Sequence, residues 1–315
     1  MKHPYLSVVI PVYNEQASLE TLYTRLMPAL DVLGKTFEVI LANDGSHDAS
    51  SKILAELYER RPNEIRVIEF NRNYGQHMAI MAGLTHSRGD VVVTMDADLQ
   101  NYPEDIAKLL QKIDEGHDVV GGYRENRQDK FWRITCSRFH NWLRMKLTKI
   151  QMKDEGCMLR AYTRAVVDHM IECKESSTFI PALAVSFASN PTDVPVRHAA
   201  RAQGESNYNL YKLIRYNFDF FANFSRAPLE FFTLVGFFVS FLSVLLFLYI
   251  IAQRIFHGPD SDGLFTLFAI LYFLIGILLM GLGIVGEYIG RIQEDVRKRP
   301  RFIIKKILES GSSTQ

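Results

Sequence analysis

Two uncharged stretches in the last third of the chain constrain it more than any other feature. FFTLVGFFVSFLSVLLFLYIIA, Phe231–Ala252, and LFTLFAILYFLIGILLMGLGIVG, Leu264–Gly286, contain no Asp, Glu, Lys or Arg. Coiled as helices, each is long enough to cross a hydrocarbon core of roughly 30 Å. A buried helix of a soluble protein can be as apolar. Two in tandem, joined only by QRIFHGPDSDG, read instead as a membrane hairpin over residues 229–289. Seven Lys or Arg lie between Arg291 and Lys306, against Arg254 alone between the spans. Excess basic charge marks the cytoplasmic side, so both ends of the hairpin are expected there, in a multi-pass protein of the cytoplasmic membrane. Residues 207–228, where Lys212, Arg215 and Arg226 stand among aromatics, read either as an amphipathic segment in the interface or as a surface helix packed on a soluble domain. Residues 290–315 read as a basic cytoplasmic tail.

Residues 1–206 are of another kind. Short apolar runs, LSVVI, FEVILAND, IRVIEFN, DVVVTMDAD and DVVGGYR, alternate with amphipathic sequence. That pattern predicts an α/β domain with a mostly parallel sheet and helices on both faces. The opening MKHPYLSVVIPVYNE does not read as a secretory signal, because its apolar stretch is short and runs into Pro11. Cys136, Cys157 and Cys173 form no C-x-x-C pair and fit a reducing compartment. A formal net charge of +1 argues against a nucleic-acid partner.

Ligands of open α/β sheets bind beyond the carboxyl ends of the strands, and the polar residues gather there: PVYNE after the first run, NDGS after the second, NRNYG after the third, DADLQ after the fourth. Neither G-x-G-x-x-G nor G-x-x-x-x-G-K-[ST] occurs, so the site is neither a dinucleotide fold nor a P-loop. If DVVVTMDAD stays extended to its end, Asp96 and Asp98 lie side by side on one face. Two carboxylates so close repel unless a cation sits between them. A hard divalent cation, Mg²⁺ or Mn²⁺, takes such oxygens and is shared with substrate phosphates, so Asp98, Gln100 and Asp96 are the candidate ligands. The plainer alternative is that the acids solvate a strand end ahead of a helix starting near Pro103, with Glu104 and Asp105 facing its positive end.

VVIPVYNE, NDGS, NRNYGQ and DADLQNYPED, in that order, resemble the family 2 glycosyltransferases of GT-A fold, whose D-x-D holds a divalent cation on the donor diphosphate. With the two apolar spans, the chain is similar to the polyprenyl-phosphate branch, which includes dolichyl-phosphate mannose synthase. NRNYGQH, DEGCMLRAY, STFIPAL and GEYIGRI bring it nearest the bacterial transferases that load an aminoarabinose-type sugar onto undecaprenyl phosphate. The resemblance implies a UDP-sugar donor and a lipid-phosphate acceptor. It places Asp44 at the nucleobase and ribose, where a carboxylate can accept from the uracil ring N–H. It lines the same pocket with Pro11, Tyr13 and Glu15, puts Arg72 on the diphosphate, and lets Asp96 contact the ribose or a metal-bound water. Tyr13 reads equally as core packing, and Arg72 as a solvated loop charge. By the family pattern Arg124 and Arg138 grip the acceptor phosphate as guanidinium forks. RAQGESNY resembles a loop that closes over the donor, with Arg201 on phosphate, Gly204 as hinge and Ser206 beside it. The chain departs from the pattern at Asn207, often Lys in the family, and at Tyr102 and Glu155, where Pro and Tyr are usual. His77 reads as a core or surface histidine.

Two other functions compete. A processive polysaccharide synthase shares the GT-A core but needs a Q-x-x-R-W motif, which is missing, and more spans. A noncatalytic membrane scaffold would be expected to have lost the acid pair or the nucleotide loops, and both are intact. Small residues in GILLMGLGIVG permit close helix contacts, within one chain or between copies in a homo-oligomer.

Overall fold

The computed structural model describes residues 3–124, 152–154, 156–173, 179–199, 263–296 and 300–310, with scattered positions between 232 and 256. Arg138, Arg201, Gly204, Ser206 and the 207–228 segment lie outside the described residues, as do most of the inter-span turn and much of the first span. The chain divides into two compact units. One comprises residues 1–141, 150–207 and 299–315, and the other residues 142–149 and 208–298.

The first unit is built on an eight-stranded sheet. Its strands are β1 (Leu6–Val12), β2 (Phe37–Asn43), β3 (Ile65–Phe70), β4 (Val91–Thr94), β5 (Val119–Arg124), β6 (Arg160–Thr163), β7 (Pro191–Val196) and β8 (Ile304–Leu308), in the order β7-β5-β6-β4-β1-β2-β3-β8. The five apolar runs of the sequence are β1 to β5. All seven residues of β1 are buried, as expected of a central parallel strand covered on both faces. Helix α1 (Leu19–Val32) shows the matching helical period, burying Leu19, Leu22, Leu26, Met27 and Leu30 on one stripe. Helices α2 (Ser50–Arg60), α3 (Gln76–His86), α4 (Ile106–Asp114), α5 (Arg164–Glu172) and α6 (Ile180–Phe187) complete the unit.

The sheet is mixed: six strands run parallel, as expected, and two oppose them. β6 lies antiparallel between β4 and β5, and β8 closes the far edge antiparallel to β3. The segment read as a tail therefore contributes a strand to the sheet of the first unit. Phe302 stacks on Phe70 with ring centroids 5.1 Å apart, and Glu309 bonds Arg66 and Arg88 at 3.1 and 2.9 Å. Glu38 also meets the buried Arg66, at 3.3 Å from Nη2.

The second unit contains α7 (Gly263–Val296), whose stretch Ile270–Gly290 is long and apolar enough to cross a membrane, with mean hydropathy 2.2. Its apolar side chains are largely exposed, Phe273 at 65% and Leu278 at 62% among them. The described positions between 232 and 256 are helical, and a Cβ at Gly281 of α7 would overlap the Phe232 ring.

Candidate active site

The sheet order reverses between β1 and β4: β2 and β3 run away on one side, β4 and β6 on the other. Ligands of open sheets bind in the crevice at such a switch point. Pro11 lies on this seam. Val9 accepts the Met95 N–H on the β4 side, and two residues on, where the proline lacks an N–H, the β4 ladder has already ended at Thr94. A proline in a central strand thus leaves no partner unsatisfied, because it stands where the strands part.

Hydrogen bonds stitch the loops at this edge into one rim. After β1, Asn14 turns the chain at φ 56°; its N–H donates to Ser46 Oγ at 3.0 Å, and its side-chain oxygen accepts the His47 N–H at 2.9 Å. Tyr13 is 43% exposed, which favours a surface at the crevice over core packing. The Glu15 N–H donates to Ser50 Oγ, and the Glu15 carboxylate accepts from Ser18 Oγ at 2.7 Å.

The loop after β2 is bound to the loop after β3. Asp44, only 2% exposed, accepts from the N–H groups of Tyr74 at 2.6 Å and Gly75 at 2.8 Å. Burial pushes its carboxyl above the usual range, only partly offset by those two donors. A carboxylate has about four acceptor positions, so two donors do not exhaust it. Gly45, at φ 65°, is required here because a Cβ would strike the Arg72 backbone. Arg72 itself is exposed and lies over the Tyr74 ring, 4.8 Å from its centroid.

The acid pair stands on a bend. β4 ends at Thr94, and Leu99 adopts φ 64°, so DAD does not continue the strand and the expected strand alternation fails. Asp96, Asp98 and Gln100 are all half-buried. Asp96 Oδ1 accepts from Gln76 Nε2 at 2.6 Å, and Asp98 Oδ1 from the Gln100 N–H at 3.1 Å. Among the described residues no three His, Cys, Asp or Glu side chains group as a metal centre. The donor chemistry here, two carboxylates and an amide, fits a hard cation that completes its coordination with phosphate oxygens and water. Beyond the pair, Pro103–Asp105 forms the expected opening turn of α4, but the Asp105 carboxylate turns to Arg197, accepting its N–H at 2.7 Å.

Asp154, Gly156 and His198 were not read from the sequence as parts of the site. Arg124 ends β5 and is held by Asp154, Nε to Oδ2 at 2.6 Å and Nη2 to Oδ1 at 2.8 Å. Burial alone would push the Asp154 carboxyl up; the guanidinium overcomes this and holds it below the carboxylate range. Gly156 leaves room for the arginine, since a Cβ there would lie 2.9 Å from Arg124 Nη2. The candidate phosphate-binding fork is thus already docked on a carboxylate. His198 bridges to Asn101, and the Ala199 N–H donates to the Gln100 carbonyl at 2.9 Å, so Ala199 contacts the chain two residues from Asp98. Burial and the nearby Arg124 lower the His198 pKa, against the opposing pull of Asp98 and Asp154. Tyr102, one of the departures from the family pattern, is stacked between Arg25 and Arg197, 4.8 and 4.7 Å from its centroid. Glu155 lies outside the described residues.

His77 is a core histidine. Its ring meets Phe179 edge-on at 5.2 Å, Nδ1 has no partner among the described residues, and burial brings its pKa down to about 4 from 6.5. The folded protein keeps the ring neutral while the unfolded chain protonates near 6.5. This contribution is therefore whole above that pH and is lost as pH falls toward 4, about 3 kcal/mol in all. Thermal unfolding of the purified protein should fall off over that window, and His77→Leu should show a shallower fall. Identical pH dependence in the two proteins would remove His77 from the account.

The mixed sheet, the switch point and the hydrogen-bonded rim define a GT-A type of domain. The profile of glycosyl transferase family 2 matches residues 7–171, and that of the GtrB C-terminal hairpin matches residues 227–292. The chain is 46% identical over 309 residues to an undecaprenyl-phosphate 4-deoxy-4-formamido-L-arabinose transferase of Edwardsiella ictaluri, covering 98% of this chain and 95% of that protein. It is 47% identical to a protein of the same name from an Enterobacter species, over 98% and 94% of the two chains. The crystal structure of a mycobacterial protein shares the fold at a TM-score of 0.50 and 17% identity, over 70% of this chain and 75% of that one. The chain belongs to glycosyl transferase family 2.

Proposed function

We propose that this enzyme transfers a sugar, with inversion, from a UDP-sugar to undecaprenyl phosphate in the cytoplasmic membrane, supplying a lipid-linked monosaccharide for modification of lipid A or another envelope glycan. The observation that carries the reading is the joined rim at the β1/β4 switch point, where Asp44 and Asp96, the first acid of the pair, are both bound to the segment Tyr74–Gln76. The relatives' names make 4-deoxy-4-formamido-L-arabinose the first donor sugar to test.

In this reading Asp44, with Pro11, Tyr13 and Glu15, receives the uridine, and Arg72 faces the diphosphate. Asp98, Asp96 and Gln100 hold Mg²⁺ or Mn²⁺, which when bound offsets charge on the departing diphosphate. Arg201, Gly204 and Ser206 belong to a loop over the donor, whose approach at Ala199 lies against Gln100. Arg124 and Arg138 orient the lipid phosphate. One of its oxygens attacks the anomeric carbon from the face opposite UDP, and the bond from that carbon to the diphosphate oxygen breaks, its electron pair leaving with UDP. No general base is required, because a phosphate monoester with a second pKa near ~6 is mostly dianionic at neutral pH.

Two observations support a hairpin anchor with the catalytic domain on the cytoplasmic side. The Phe232 ring packed at Gly281 fits antiparallel spans, the start of the first beside the end of the second, with a small residue admitting close approach. The chain also returns to the first unit after the apolar region to form β8, which fits an even number of crossings between. The basic residues from Arg291 to Lys306 favour the cytoplasm as that shared side.

The test is to incubate membranes containing the protein with undecaprenyl phosphate, a divalent cation and a panel of UDP-sugars, and to weigh the lipid products by mass spectrometry. The expected result is one dominant sugar-phosphate lipid, with the formamidoarabinose donor. No lipid-linked sugar from any donor would refute the function; a different sugar would refute only the donor.

A further inference from the structure

Three consecutive residues, Tyr74 and Gly75 after β3 and Gln76 at the start of α3, touch both acidic stations of the crevice. The N–H groups of Tyr74 and Gly75 hold the two oxygens of Asp44, and the side chain of the next residue, Gln76, donates to Asp96 Oδ1 at 2.6 Å. Gly75 stands at φ 97°, a conformation that side chains rarely adopt, and it turns the chain from the first carboxylate to the second. Gln76 is exposed, so its side chain is not needed to fill the core. Its bond to Asp96 is short and charge-assisted, and it fixes the rotation of that carboxylate. It does so with a neutral amide. A lysine in its place could hold the carboxylate as well, but would bring a positive charge against any cation the acids are to bind.

We propose that Gln76 is a positioning residue for the cation site: it orients Asp96 toward a metal-bound nucleoside diphosphate, while the two residues before it fix the carboxylate that receives the nucleobase. The proposal rests on the functional reading above. It makes the loop after β3 the element that keeps the base and diphosphate stations in register, and it predicts that Gln76 matters to the metal rather than to the nucleotide alone. Residues that orient metal ligands are commonly worth ten- to a hundredfold in metal affinity, roughly the range expected here.

The experiment uses the full chain in detergent, wild type and Gln76→Met, which keeps the length of the side chain and removes its donors. UDP affinity is measured calorimetrically without metal, and Mn²⁺ affinity by electron paramagnetic resonance in the presence of saturating UDP. The expected result is a loss of about tenfold in Mn²⁺ affinity with metal-free UDP affinity held within about threefold. Unchanged Mn²⁺ affinity would overturn the proposal. So would a parallel loss of both affinities, the mark of a structural role. A wild-type protein whose UDP binding shows no response to Mn²⁺ would instead overturn the functional reading on which the proposal stands.

Discussion

Asp98→Asn is expected to lower sugar transfer by at least about a thousandfold, and removal of divalent cations by a chelator to do the same to the wild type. The substitution preserves shape and exchanges an anionic oxygen for a neutral amide. Asp98 is half-buried on the bend after β4, and among its contacts is the Gln100 N–H, which an asparagine oxygen can equally accept. The fold should therefore survive, with circular dichroism and melting temperature near those of the wild type. What is lost is the charge that retains the cation. Lewis-acid stabilisation of a leaving phosphate is worth several kcal/mol, and about 4 kcal/mol corresponds to a thousandfold in rate. Full activity in excess chelator would refute a metal role for the pair.

How much could be read beforehand depended on whether the information lay in side-chain pattern or in long-range pairing. β1 to β5 were legible because strands covered on both faces must be apolar runs, and their carboxyl ends had to be where polar residues collect. β6 was not. RAYT is four residues long and includes Arg160, which is 1% exposed and satisfied by the main-chain carbonyls of Asp154 and Cys157. β7, PTDVPV, carries two prolines, and β8 pairs with a strand more than 200 residues earlier across the whole apolar region. No local period reports such a partner. In the site, Asp96 and Asp98 were legible as a pair, but their extended geometry was not, because Leu99 takes a left-handed turn without glycine's freedom. Asp44 was legible as a residue; its partners are main-chain N–H groups, which have no signature in the sequence. Gln76 stood in a quoted motif, NRNYGQ, yet nothing in the order of residues says that the amide reaches Asp96.

Asp154 was likewise quoted only as the start of DEGCMLRAY, and the structure gives it a separate consequence. Its carboxylate is 6% exposed and receives Arg124 through two guanidinium nitrogens and, more weakly at 3.3 Å, through the Arg124 N–H; the Gly156 N–H adds a fourth bond at 3.1 Å. Breaking a buried pair by removing one partner leaves the other charge desolvated and uncompensated. Asp154→Ala is therefore expected to destabilise the catalytic unit by roughly 3 kcal/mol, at the lower end of the range for buried pairs because Arg124 keeps some access to water. Asp154→Asn, which retains the shape and one acceptor, should remain folded and separate orientation from stability. If Arg124 serves the lipid phosphate, a neutral partner lets its fork drift. The KM for undecaprenyl phosphate should then rise about tenfold or more, while UDP affinity in the presence of Mn²⁺ stays within about threefold of wild type. Steady-state kinetics with varied acceptor, alongside calorimetric UDP binding, measures both quantities in one preparation. A rise in the UDP dissociation constant with unchanged acceptor KM would move Arg124 to the donor side of the reaction and leave Arg138 as the remaining candidate for the lipid phosphate.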